Sequence, residues 1–185
     1  MKIILVANPG SSSRKYALYE AEGLKLRAEL HFEPVAGGIT CSLDDGQHAR
    51  TVSTNVNDIK ESANAVIEIL KKENVLSPDD TIAAVGLRVV APSAYFMQDH
   101  LITDEVVDKL ESIEHLAPLH IAATLGELKY LNNLFADTPI VGVSDSAFHR
   151  TKPNYAWNYG INIKDADTFD IKRFGYHGIS VSSAI

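Results

Sequence analysis

The chain opens on an unbroken apolar run, Ile3-Ile4-Leu5-Val6-Ala7, cut off by Asn8-Pro9-Gly10. A short apolar run closed by turn formers predicts a buried strand entering a turn. Lys15–Tyr19 and Leu24–Phe32 predict the next two strands, joined by a polar turn over Glu20–Gly23. Gly37-Gly38 and Asp44-Asp45-Gly46 punctuate two further short strands, so the opening reads as an antiparallel meander. The period then changes. Asp58–Glu73 carries Ile59, Ala63, Val66, Ile67, Ile69 and Leu70 at helical spacing, and Ile82–Val90 reads as a strand. Thr103-Asp104-Glu105 predicts a helix start, with Thr103 as N-cap and two acids in the first turn. A long helical pattern runs from His120 to about Phe135, and Pro139–Val143 is a β-branched strand ending at Ser144-Asp145. From Tyr155 the chain reads as loop-rich, closing on Phe174-Gly175-Tyr176-His177-Gly178. Ser180–Ile185 reads as a helix just beginning, without a stop signal, as in a fragment of a longer chain.

A strand meander followed by helix, strand, helices and strand is an α/β class with α+β order. It predicts a single domain over residues 1–185, a mixed sheet flanked by helices. It suits a ribonuclease-H-like domain better than a doubly wound sheet, which would alternate strand and helix from the start. No G-x-G-x-x-G follows a strand, which disfavours a nicotinamide-dependent enzyme.

Composition narrows the function. The 185 residues are 45% hydrophobic and 22% charged, the balance of a folded chain. A net charge of −7 argues against a nucleic-acid partner, which needs a basic face, but leaves room for a small anion held by a few local cations. The single cysteine, Cys41, has no internal disulfide partner, which points to a reducing compartment. No signal-peptide pattern and no stretch of membrane-spanning length occur, so the expectation is a soluble, cytoplasmic protein.

Five segments carry candidate chemistry. In Asn8-Pro9-Gly10-Ser11-Ser12-Ser13-Arg14-Lys15 a strand delivers a Gly-Ser turn whose N–H groups and hydroxyls can face an anion, with Lys15 at its edge; composition alone favours a plain polar hairpin turn. Arg88, within Gly86-Leu87-Arg88-Val89-Val90, sits in an apolar strand and must snorkel, pair or face a cavity. His120 ends Leu116-Ala117-Pro118-Leu119-His120 near a helix N-terminus, where anions are favoured; packing or capping is its alternative. Asp145 lies just past an apolar strand, as a general-base or metal-linked carboxylate or as a turn former. In Arg173-Phe174-Gly175-Tyr176-His177-Gly178-Ile179-Ser180 two glycines let the backbone approach a ligand and present His177, or simply make a turn. Each signal is weak alone.

Taken in order, the five resemble the acetate kinase family (acetate, propionate and butyrate kinases) of the acetate/sugar kinase–Hsp70–actin superfamily. Its N-x-G-S-S-S-x-K is similar to Asn8–Lys15, its G-H-R-V-V-H-G-G to Gly86–Val90, and its L-A-P-L-H to Leu116–His120. Its F-D-T-A-F-H-x-T-x-P is similar to Ser144–His149 with Thr151 and Pro153, and its R-Y-G-F-H-G-T-S-H to Arg173–Ser180. The departures are Leu87 for His, Ala91-Pro92-Ser93 for His-Gly-Gly, and Val181 for the final His. The resemblance implies ATP-dependent phosphorylation of acetate or another short-chain carboxylate, with Mg²⁺ as cofactor. It further implies Asn8 toward the metal and Ser11, Ser12 and Lys15 near the transferred phosphoryl group or the nucleotide phosphates. Arg88 would bind the carboxylate or acyl phosphate, and Val90, Leu119 and Tyr176 would line the acyl pocket. His120 and His177 would bond phosphoryl oxygens, and Asp145 would be the catalytic acid, in proton transfer or in metal positioning; because a carboxylate nucleophile is already ionised at pH 7, metal or phosphoryl positioning is favoured. Family members run to about twice this length, so the implied architecture is the N-terminal domain of a two-domain kinase whose full-length form is a homodimer, with this chain alone a poor catalyst.

Overall fold

The computed structural model describes residues 1–185. Five antiparallel strands open the chain: β1 (Lys2–Pro9), β2 (Arg14–Glu20), β3 (Leu26–Val35), β4 (Gly38–Asp44) and β5 (Ala49–Val52). Helix α1 (Ser62–Lys72) leads to β6 (Thr81–Val89), and the two-residue β7 (His100–Leu101) precedes α2 (Asp104–Ser112) and α3 (Pro118–Leu134). Strand β8 (Ile140–Ser144) is followed by three short helices, α4 (Asn154–Trp157), α5 (Ile163–Thr168) and α6 (Gly178–Ser182). The sheet order is β5-β4-β3-β2-β1-β6-β8-β7, with β1, β6 and β8 mutually parallel. A meander joined to parallel strands reached through helices is the expected ribonuclease-H-like, mixed α/β sheet.

Period-2 alternation sets which face is buried. Ile3, Leu5 and Ala7 of β1, Tyr16 and Leu18 of β2, Leu30 and Phe32 of β3, and Val85, Leu87 and Val89 of β6 all enter one core. Ala63, Val66, Ile69 and Leu70 of α1, Val106 and Leu110 of α2, and Ile121, Leu128 and Leu131 of α3 pack into that same core. The intervening residues Val6, Asn8, Lys15, Ala17, Tyr19, Glu29 and His31 line a cavity of about 400 Å³ on the opposite face. Arg88, between two core-facing neighbours, belongs to that opposite face as well. Leu87 is fully buried in the core, so the replacement of the family's His at this position alters packing and leaves the other face untouched.

Element boundaries moved for local reasons. The helix expected over Asp58–Glu73 opens as a 3-10 turn, Ile59–Glu61, because the Asp58 side chain accepts from the Lys60 N–H at 2.9 Å; α1 begins only at Ser62. Thr103 stands at the N-cap of α2, but its side chain makes no capping bond, which leaves Asp104 and Glu105 to meet the first-turn amides' dipole. Helix α3 starts two residues before His120, on Pro118, whose missing N–H costs nothing at that position. The strand expected from Leu24 starts at Leu26, since Gly23 and Leu24 both take positive φ in the turn. The loop-rich tail holds α4, α5 and α6, each too short for a hydrophobic period to show.

One ion cluster pins the start of β1 to β6. The Met1 ammonium lies 2.9 Å from Asp80 Oδ1, and Arg27 Nη1 lies 2.7 Å from Asp80 Oδ2 while its Nε reaches Glu20. Hydrogen bonds from the Met1 ammonium, then from the Ser77 amide and Arg27, hold the Asp80 carboxyl well below the usual carboxylate range. A depressed folded-state pKa stabilises the fold fully above the unfolded value of about 4, and that contribution is lost as pH falls toward the folded value. Acid unfolding followed by circular dichroism is therefore expected to steepen below about pH 4, and Asp80→Asn to flatten that limb while lowering stability at neutral pH.

Candidate active site

All three parallel strands of the sheet centre release their chains at the same edge, where ligand sites of α/β sheets form. Strand β1 delivers Asn8, β6 delivers Arg88, and β8 delivers Asp145, whose amide extends the ladder by bonding the Val89 carbonyl at 3.0 Å. The three side chains meet. Arg88 Nη2 and Nε donate to Asp145 Oδ2 at 2.5 and 3.2 Å, and Nη1 donates to Asn8 Oδ1 at 3.1 Å. Three of the five guanidinium N–H groups are thereby taken, leaving one on Nη1 and one on Nη2 for a ligand. Asp145 is fully buried, whereas the Arg88 side chain is 27% exposed, so the pair presents its cation outward.

Asp145 also anchors the tail. Its Oδ2 accepts from the His177 amide and its Oδ1 from the Ile179 amide, both at 3.3 Å, so one carboxylate caps α6 while holding Arg88. His177 adopts a left-handed conformation (φ 60°) immediately before α6. Gly178 is obligatory there: a Cβ would stand 1.9 Å from the Asp145 carbonyl oxygen and 2.7 Å from Phe148 Cβ. Gly175, at φ +84°, passes over the His149 ring, where a Cβ would stand 2.6 Å from His149 Cδ2; the ring Nε2 lies 3.0 Å from the Tyr176 carbonyl. Ser146 adds a further tie, donating to the Gly175 carbonyl at 3.1 Å.

The remaining sequence-derived residues lie on neighbouring elements. Lys15 is the register partner of Asn8 across β1–β2 and shares its open-face cavity. Ser11 and Ser12 stand exposed on the loop between those strands, which is closed by a Gly10 N–H to Ser13 carbonyl bond of 2.9 Å. His120 is exposed at the third position of α3, its ring 5.9 Å from that of Tyr176. Leu119 is 72% exposed and Tyr176 42% exposed, while Val90 is buried. Asn8, Arg88, Asp145 and His177 are thus joined by hydrogen bonds, and His120 and Tyr176 by ring contact; no contact brings Ser11, Ser12, Leu119 or Val90 to them.

Sequence reasoning missed several supports. Ser93 and the Ala94 amide both donate to Asp170 Oδ2 at 2.9 Å, so Ala91-Pro92-Ser93 is folded back onto the tail by a carboxylate 77 residues away. No periodic signal marks such a contact. A second miss is Glu127, completely buried on α3 and ion-paired with Arg14. Its signal was available: Glu127 falls among Ile121, Thr124, Leu128 and Leu131 on the buried stripe of the helix. A separate polar cavity of about 230 Å³, between Ser53–Val56 and α1, holds none of the site residues.

Comparison with known proteins bears on the whole chain. The family model described as "Acetokinase family" matches residues 3–183. The chain belongs to the acetokinase family. It is 38% identical over 183 residues to the acetate kinase of Caldanaerobacter subterraneus subsp. tengcongensis, covering 96% of this chain and 45% of that protein. Identity to the acetate kinase of Halothermothrix orenii is 36%, with 96% and 46% covered. Among solved structures, a propionate kinase from Francisella tularensis superposes with a TM-score of 0.83 at 29% identity, and the acetate kinase of Porphyromonas gingivalis with 0.82 at 28%. Each superposition covers 96% of this chain and 46% of the other. This acetokinase chain therefore spans about half the length of the relatives it matches. Its sheet edge, with Asn8, Arg88 and Asp145 at three strand ends, lies within the matched region. No helix is long and apolar enough to cross a membrane.

Proposed function

We propose that this chain forms the acyl- and phosphoryl-binding side of a kinase that transfers the γ-phosphoryl group of ATP to a short-chain carboxylate, acetate first, with the other side of the site supplied by a second domain. The supporting observation is the outward-facing Arg88, clamped by a buried carboxylate and by Asn8, with two N–H groups left over. A planar fork with two free donors matches the two oxygens of a carboxylate or of an acyl phosphate.

In the reaction a carboxylate oxygen bonds to the γ-phosphorus as the bond from that phosphorus to the bridging oxygen of ADP breaks. Nucleophile and leaving group are both anionic, so no proton has to move, and catalysis rests on placement and charge neutralisation. Arg88 holds the acid and balances charge on the moving group. Lys15, beside Asn8, and the Ser11-Ser12 turn bind phosphate oxygens, and His120 and His177 donate to the phosphoryl group from the far side. Val90, Leu119 and Tyr176 bound the space for the acyl chain. Asp145, already accepting from Arg88 and two amides, orients Arg88 and His177 and has no proton to remove.

Asn8 Oδ1 and Asp145 Oδ1 are hard oxygens that keep a lone pair after the bonds from Arg88 and from the Ile179 amide, too few to cage a cation by themselves, and no cluster of three or more His, Cys, Asp or Glu stands ready to hold one. That donor set fits Mg²⁺ shared with substrate phosphates, which typically takes one or two protein oxygens. When bound there it would neutralise phosphate charge. Arg88→Ala is expected to lower acyl phosphate formation by about 100- to 1,000-fold. The assay traps the product with hydroxylamine, using the longest natural form of the protein, ATP, Mg²⁺ and acetate, propionate or butyrate in parallel. The acid giving the highest rate names the substrate. A folded protein inactive with all three would point instead to a binding domain derived from a kinase.

A further inference from the structure

We propose that the buried Arg14–Glu127 ion pair, completed by Tyr16, is the link that fixes the Gly10–Lys15 loop relative to helix α3, which makes these three positioning residues for the phosphoryl site. This rests on the kinase reading above. Strand alternation sends Lys15 to the open face and its neighbours Arg14 and Tyr16 into the core. There Arg14 Nη1 donates to Glu127 Oε2, and the Tyr16 hydroxyl donates to Glu127 Oε1 at 2.8 Å, 3.1 Å from Ser62 Oγ. All four residues are at most 3% exposed.

Stability is a poor explanation for such a pair. Desolvating both charges cancels much of their attraction, and well-packed apolar residues usually serve as well. Burial pushes the Glu127 carboxyl up from its ordinary range against the opposing pull of Arg14, so the group sits there at a cost. What an ion pair adds is direction. The loop tip does not rest on α3, since a cavity of about 420 Å³ is walled by Gly10 and Ser11 on one side and Leu119, Ala122 and Gly126 on the other. The tie is made behind the tip, three residues from Ser11 and two helical turns from His120. It sets the span between the serine turn and the imidazole that would face the same phosphoryl group.

The test uses the chain as it stands, with two readouts: hydrogen exchange of the Gly10–Ser13 amides, and the dissociation constant for acetyl phosphate from NMR titration. Glu127→Gln keeps the shape but leaves Arg14 unpaired; Tyr16→Phe removes one hydrogen bond and keeps the pair. In Glu127→Gln, exchange at Gly10–Ser13 is expected to rise by about tenfold and acetyl phosphate affinity to fall by about tenfold, with Tyr16→Phe intermediate. Exchange within β3 and β4 is expected to stay as in wild type. Loop exchange and affinity unchanged in both folded variants would overturn the positioning role and leave the pair merely structural. If Glu127→Gln fails to fold, Tyr16→Phe decides by the same two readouts. Wild-type chain that shows no acetyl phosphate binding would leave the kinase reading to the hydroxylamine assay of the longest natural form, and loop exchange alone would then decide whether the tie fixes the loop.

Discussion

Asp145→Asn is expected to lower folding stability by about 2–4 kcal/mol and, in the longest natural form, to lower turnover by about 100-fold with a smaller change in KM. The reason is donor count. Asp145 is fully buried and accepts on both oxygens, from Arg88 and the His177 amide on Oδ2 and from the Ile179 amide on Oδ1. An asparagine supplies one oxygen and one NH₂, so either flip sets a donor against a donor, at Arg88 or at Ile179. Arg88 also loses its counter-charge, and a buried polar group left unmatched costs more than the bond it made. Arg88 retains Asn8 and stays near the site, which is why binding suffers less than the alignment needed for transfer. Urea unfolding and the hydroxylamine assay measure the two halves. Unchanged turnover in a folded Asp145→Asn enzyme would remove Asp145 from the mechanism.

Gly178→Ala is the second large effect. The added methyl would meet the Asp145 carbonyl at 1.9 Å and Phe148 Cβ at 2.7 Å, neither of them the far end of a flexible side chain. Helix α6 must back away, at a cost of about 3 kcal/mol, carrying the His177 and Ile179 amides off Asp145. Gly126→Ala is the matched control, because nothing lies within 4 Å of its would-be Cβ in mid-helix. There the smaller loss of backbone freedom on folding should stabilise by about 0.5–1 kcal/mol. Urea midpoints of the two variants should move in opposite directions; a neutral Gly178→Ala would mean that α6 does not seat on Asp145.

The parts of the fold legible in the sequence were those with a strong period. The apolar run of β1 ended on Asn8, the β-branched run of β8 on Ser144-Asp145, and the apolar strand β6 carried Arg88 near its end, and all three residues now lie in the site. An arginine in an apolar strand had to snorkel, pair or face a cavity, and Arg88 pairs, with Asp145. The short helices α4, α5 and α6 left no period to read. The supports were illegible for a different reason: Arg14 meets Glu127 across 113 residues and Ser93 meets Asp170 across 77, and one sequence carries no mark of which polar residues will face each other once the sheet is assembled. Leu87 shows the converse. It looks like a lost site residue in the linear pattern, yet alternation turns it into the core beside Val85 and Val89.

On the proposed function, the edge formed by Asn8, Arg88, Asp145 and His177 receives an acyl phosphate. NMR titration of residues 1–185 with acetyl phosphate tests it most directly, since weak binding to half of a site is still readable. Saturable shifts of the Arg88 Nε–H and of the Gly10–Ser13, His177 and Ile179 amides are expected, abolished in Arg88→Ala. Shifts confined to the Ser53–Val56 and α1 cavity, or saturable binding that leaves Arg88 and His177 unmoved, would contradict it.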